Sequence, residues 1–239
     1  MGDVLTLNAR MRVRAGRPAR PFRTPLPAAF TAEEHRVLRT HRTPAQVQRF
    51  VGALPYNWET RGATLRTFRG VMRHGEAHCL EGVLAAATMM EQQGFPPLVL
   101  DLESQDELDH VLLLFRAGGR WGAIGKSRDP GLHGRRPVFR TIRELVYSYV
   151  DPYVDGSGRI TGYGTGHLDD LVRVDWRLSE HNVWEVERAL YRMPHTRLRT
   201  SDDRYRRVLR RFLEFKQSGD ELTPAALRKL YGAQIDPWW

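Results

Sequence analysis

The stretch Gly94-Phe95-Pro96-Pro97 constrains the fold most, because it separates two kinds of sequence. Before it, apolar residues recur at helical spacing, and the last run extends from Cys79 to about Gln93. Gly94 suits a helix C-terminus, and two prolines prevent continuation. After it come three short apolar runs bounded by turn residues: Leu98 to Leu102, His110 to Phe115 and Trp121 to Ile124. Ala117-Gly118-Gly119-Arg120 predicts an antiparallel hairpin joining the last two. Helices followed by short antiparallel strands make this an α+β chain.

Other elements follow from local signals. Thr31 and Glu34 have capping-box spacing, and so do Thr43 and Gln46, with Pro44 at the first helical position. Val47, Phe50, Val51 and Leu54 give the second helix its stripe. Thr64 is expected to cap a third helix running through Met72, with Gly75 closing it. Residues 129–137 read as a Gly/Pro/Arg loop, and Thr141 to Tyr149 as a helix. Turns at Asp155-Gly156-Ser157-Gly158 and Gly162 to Gly166 surround short strands, and Val172 to Val174 suggests one more. Helices follow with stripes at Val183, Val186 and Leu190, and at Tyr205, Val208, Leu209 and Phe212; a last one starts at Thr223-Pro224 and stops at Gly232. The expected organisation is a basic Pro/Arg-rich extended arm at 1–30, an α+β domain at 31–178, and a helical extension at 179–239 packed on that domain.

The formal net charge is +9, and Lys126, Lys216 and Lys229 are the only lysines. Arginine therefore carries almost all the positive charge, which permits phosphate or nucleic-acid binding. The arginines are scattered rather than blocked, so a general preference for Arg over Lys is the simpler reading. No apolar run has the length of a membrane span, and Met1 to Arg23 lacks the apolar core of a secretory signal. A single cysteine forms no internal disulfide, which makes a reducing cytoplasm the expected location.

That cysteine, Cys79, stands where His-Cys-Leu-Glu-Gly meets an Ala-rich helical run. Free amides and the positive dipole at a helix start stabilise a thiolate and, later, an oxyanion. His110 begins the next apolar run but one and could accept the thiol proton. His78 is less suited, since adjacent helical residues point in different directions. Val83, Ala86 and Met90 also form a core-like stripe, so periodicity alone favours Cys79 as a small buried hydrophobe.

Three pieces in order shift that balance: Cys79-Leu80-Glu81-Gly82, Asp109-His110-Val111 and Gly118-Gly119-Arg120-Trp121. Across roughly residues 64–130 the chain resembles the transglutaminase-like core of the papain-like thiol enzymes. The resemblance implies a Cys-bearing helix packed on a short antiparallel sheet, with extra helices at both ends. It implies Cys79 as nucleophile, His110 as base, and attack on an amide or ester carbonyl through a thioester. The protein would then be an amidase, peptidase or acyltransferase acting on a peptide, protein or small acyl substrate. The family usually places an Asp shortly after the tryptophan; here that neighbourhood is Gly125, and Asp129 lies about four residues beyond. Asp129, Ser127 or a backbone carbonyl could orient His110 instead. Upstream, Asn57 or Trp58 could supply an oxyanion donor, or simply belong to a packed loop.

Rival readings are an inactive descendant that binds peptide or acyl groups in the same cleft, and an Arg-driven nucleic-acid binder using the arm and the 204–211 helix. Gly125-Lys126-Ser127 lacks the first glycine of a phosphate loop, since Arg120 occupies that position. His74, His78, Cys79 and His110 fit no zinc spacing. Gly162-Tyr163-Gly164-Thr165-Gly166 lacks the strand-then-helix setting of a cofactor loop. No metal or organic cofactor is expected.

Overall fold

The structure, a computed structural model, describes residues 24–235 apart from 156 and 222, so most of the expected N-terminal arm lies outside the described residues. In order, the helices are α1 (Ala32–Thr40), α2 (Pro44–Ala53), α3 (Phe68–His74) and α4 (Cys79–Glu91). Then come β1 (Leu98–Ser104), β2 (His110–Ala117), β3 (Arg120–Ile124), β4 (Arg135–Phe139) and α5 (Ile142–Val150). The chain continues through β5 (Ile160–His167), α6 (Leu168–Leu171), α7 (Trp184–Arg192), β6 (Thr196–Arg197), α8 (Asp202–Ser218) and α9 (Pro224–Tyr231). The fold is α+β. Six antiparallel strands lie in the order β4-β3-β2-β1-β5-β6.

The two sheet faces read directly from β2, where alternate residues point to opposite sides. Val111, Leu113 and Phe115 join the core that also holds α4, α2, α3 and α7. Leu112 and Leu114 join Leu100, Leu102 and the α5 residues Leu145, Val146 and Tyr149. Burial on both faces explains why β1 and β2 are nearly continuous apolar runs. Val154, Val208, Leu227, Tyr231 and Ile235 make a smaller cluster that seats α8 and α9.

The capping boxes at Thr31 and Thr43 form as the spacing predicts. The third helix does not start at Thr64. Thr67 caps it, while the Thr64 hydroxyl donates to the buried carboxylate of Glu81 at 2.8 Å. Part of the expected 129–137 loop is instead edge strand β4, and Val172 to Val174 form no strand. The Gly162–Gly166 stretch is not a turn but most of β5. A side chain at Gly164 would collide with Met193 and the Pro194 carbonyl at 2.9 Å, so glycine here admits a close crossing segment. Gly82 plays the same part in α4: a Cβ there would lie 2.8 Å from the stem of Lys126.

Candidate active site

Cys79 is the first residue of α4, and its thiol is partly buried. First-turn amides such as those of Cys79 and Leu80 have no intrahelical acceptor. His110 opens β2, and its Nε2 lies 2.8 Å from the carbonyl oxygen of Leu132. A carbonyl can only accept, so Nε2 carries a proton here and Nδ1 is the nitrogen left to face Cys79.

Burial pushes the Cys79 thiol up, but hydrogen bonds from His110 and His78, with the charge of both rings, outweigh it and bring the thiol down to about 6. Burial pushes His78 down, yet its hydrogen bond to Cys79, the charges of Glu81 and Cys79, and the Thr64 carbonyl raise it to about 9. Its Nε2 donates to Thr64 O at 3.0 Å. At neutral pH His78 is therefore a standing cation beside the sulfur. A group already protonated cannot take the thiol proton.

Glu81 builds this corner. Its buried carboxylate accepts from Asn57 Nδ2, Thr64 Oγ1 and the backbone amides of Arg66 and His78 at 2.8–3.1 Å. Burial raises its pKa, but the His78 charge and these hydrogen bonds hold it below the usual carboxylate range.

The loop bearing Leu132 is fixed from beneath by Arg135. Its guanidinium is fully buried and donates to Gly131 O at 2.7 Å, His133 O at 2.8 Å and Ser148 O at 3.2 Å. It also lies 3.9 Å from the Tyr149 ring centroid. Five N–H donors in a rigid fork suit a buried site made of carbonyls.

The other sequence-predicted residues fall differently. Asn57 is 3 % exposed and donates to Thr64 and Glu81, so both amide hydrogens are occupied and it is not a free oxyanion donor. Trp58 is 64 % exposed and packs edge-on against Tyr56. Ser127 and Asp129 line the hollow beside Cys79, but neither hydrogen-bonds His110 among the described residues. Ser127 Oγ accepts from the Asp129 amide at 3.0 Å, and Asp129 pairs with Arg128 at 3.6 Å. The far nitrogen of His110 meets the Leu132 carbonyl instead.

Two hollows, of about 450 and 320 Å³, share Tyr56, Cys79, Leu108 and Asp109. The larger contains His110 and Arg128 and is walled by Phe212 and Lys216 of α8 and Tyr231 of α9. Tyr56 was not anticipated. Burial and the Cys79 charge push its phenol up to about 12, so it remains a donor beside the sulfur. Among the described residues, no grouping of three His, Cys, Asp or Glu side chains could hold a metal, and no helix is long and apolar enough to cross a membrane.

The chain is similar to tubulinyl-Tyr carboxypeptidase 1 of Mus musculus. The two are 32 % identical over 123 residues, which is 46 % of this chain and 31 % of that protein. The match thus spans about a third of the relative's length. No family model matches the chain.

Proposed function

We propose that the protein is a cysteine peptidase with a transglutaminase-like core, working through a thioester at Cys79. The observation that carries this is a thiol at a helix N-terminus, sharing a hollow with a histidine that lowers its pKa and whose far nitrogen is held by a carbonyl. Sγ attacks the substrate carbonyl carbon, and Nδ1 of His110 holds the thiol proton. The amides of the first α4 turn and the Tyr56 hydroxyl stabilise the oxyanion. The C–N bond then breaks, and His110 protonates the leaving amine. Water, deprotonated by His110, attacks the thioester carbon, releases the acid and restores the thiol. Leu132 O holds the imidazole in the required tautomer.

The carboxypeptidase name of the relative supports a finer form of this reading. Arg128 stands in the larger hollow, where a guanidinium suits the terminal carboxylate of a substrate. The test is incubation with a peptide library, with new C-termini read by mass spectrometry. Cleavage by the wild type that is absent in Cys79→Ala and reduced at least about 100-fold in His110→Ala supports the proposal. Equal cleavage by Cys79→Ala defeats it.

A further inference from the structure

We propose that the smaller hollow beside Cys79 is a specificity pocket for a lysine or arginine on the acyl side of the scissile bond. The inference rests on the peptidase reading above and deepens it. The hollow opens on Cys79 and receives carboxylates from four separate places. Glu59 comes from the loop before α3, Asp101 from β1, Glu107 and Asp109 from the β1–β2 connection, and Glu187 from α7.

The chain has 37 Lys and Arg against 28 Asp and Glu. Even so, none of these five carboxylates forms a salt bridge with an arginine or lysine among the described residues. Elsewhere the protein pairs its buried acids fully: Glu91 and Asp169 both bind Arg177, and Glu34 binds Arg69. Asp101 is the sharpest case. It is 3 % exposed and lines the hollow, yet only its Oδ2 has a partner, His195 Nε2 at 2.9 Å. Its other oxygen accepts nothing among the described residues. Burial and the Asp109 charge raise the Asp101 pKa, and the charges of Glu187, Asp109, Asp101 and Glu107 add to burial in raising that of Tyr191. The negative field is thus felt across the hollow, and the cation that lines it, His78, is already engaged by Glu81 and Cys79.

The remaining wall suits a long aliphatic stem. Leu80, Val111 and Leu190 are apolar, and the rings of Trp184 and Tyr191 lie at the same hollow. A lysine or arginine side chain lays methylenes on such a surface and brings its charge to the acids and aromatic faces. A glutamate there would meet five carboxylates.

The test uses the full chain and three peptidyl chloromethyl ketones, acetyl-Ala-Lys, acetyl-Ala-Leu and acetyl-Ala-Glu. Thiolate displaces chloride from each as the S–C bond forms, and alkylation of Cys79 is timed by intact mass. Every rate is divided by the same protein's rate with iodoacetamide. At low salt the Lys reagent should exceed the Glu reagent by at least about 10-fold. The gap should narrow at least about threefold in the double variant Glu107→Gln/Glu187→Gln and in about 0.5 M salt. Equal Lys and Glu rates, or a gap that the double variant leaves intact, overturn the pocket assignment. A Cys79 that resists iodoacetamide overturns the peptidase reading, and the pocket assignment falls with it.

Discussion

Removing His110 should change the pH dependence of Cys79 in a way that reverses sign. The wild-type thiol lies at about 6 because His110 and His78 outweigh burial. In His110→Ala the first of those hydrogen bonds is lost, burial then offsets the remaining pull of His78, and the thiol should return to about 8.5, its ordinary value. At about pH 5.5 the wild type is then roughly a quarter thiolate and the variant about 0.1 %, a ratio of about 240. Each variant thiolate is more basic and so more nucleophilic, by about 13-fold for a shift of this size. The net expectation is alkylation about 20-fold slower in the variant at about pH 5.5, near parity around pH 7.5, and faster in the variant by about sixfold at about pH 8.5. The assay is iodoacetamide alkylation followed by intact mass from about pH 4.5 to 9.5. A wild-type midpoint above about 8, or the same midpoint in both proteins, would refute the thiolate argument.

Three further outcomes follow from the same contacts. Glu81→Ala strands the donors of Asn57, Thr64, Arg66 and His78 and should lower unfolding free energy by about 3–5 kcal/mol in urea titrations. Because Glu81's folded pKa lies below its unfolded value, its contribution is present above about pH 4.5 and is lost as pH falls through the folded pKa. Glu81→Ala should therefore show a shallower acid limb of stability than the wild type, and an equally steep one would count against this role. Ser127→Ala and Asp129→Asn should leave the Cys79 alkylation midpoint within about 0.3 pH units, since neither residue bonds His110; a rise of a full unit in either would reinstate it as orienter. Arg135→Lys loses the fork that fixes the Leu132 loop. It should raise the alkylation midpoint as well as lower stability, whereas a stability loss with an unmoved midpoint would make Arg135 merely structural.

The sequence carried the α+β order, the Gly118-Gly119 hairpin, the caps at Thr31 and Thr43 and the helix starts near Thr141 and Thr223, because these depend on contacts within a few residues. It misplaced Thr64, which serves Glu81 rather than a helix start, and it missed β5, whose glycines are set by a segment some thirty residues later. Cys79 and His110 were both singled out, and both line the larger hollow. The partner of the far His110 nitrogen was not identifiable from side chains, since it is the Leu132 carbonyl. His78 was set aside on helical geometry that does not apply. It is the N-cap, with extended φ −84° and ψ −175°, so its ring is off the helical wheel and reaches the same sulfur. Glu81 three residues later has capping-box spacing, the signal that would have placed His78 there.

The thioester itself is the most direct test. The protein is mixed with an N-acyl amino acid p-nitrophenyl ester, quenched in acid within the first turnover, and measured by intact mass and peptide mapping. One acyl group is expected on Cys79, released by neutral hydroxylamine and absent in Cys79→Ala. An acyl group on another residue, or none while p-nitrophenol is released, would contradict it.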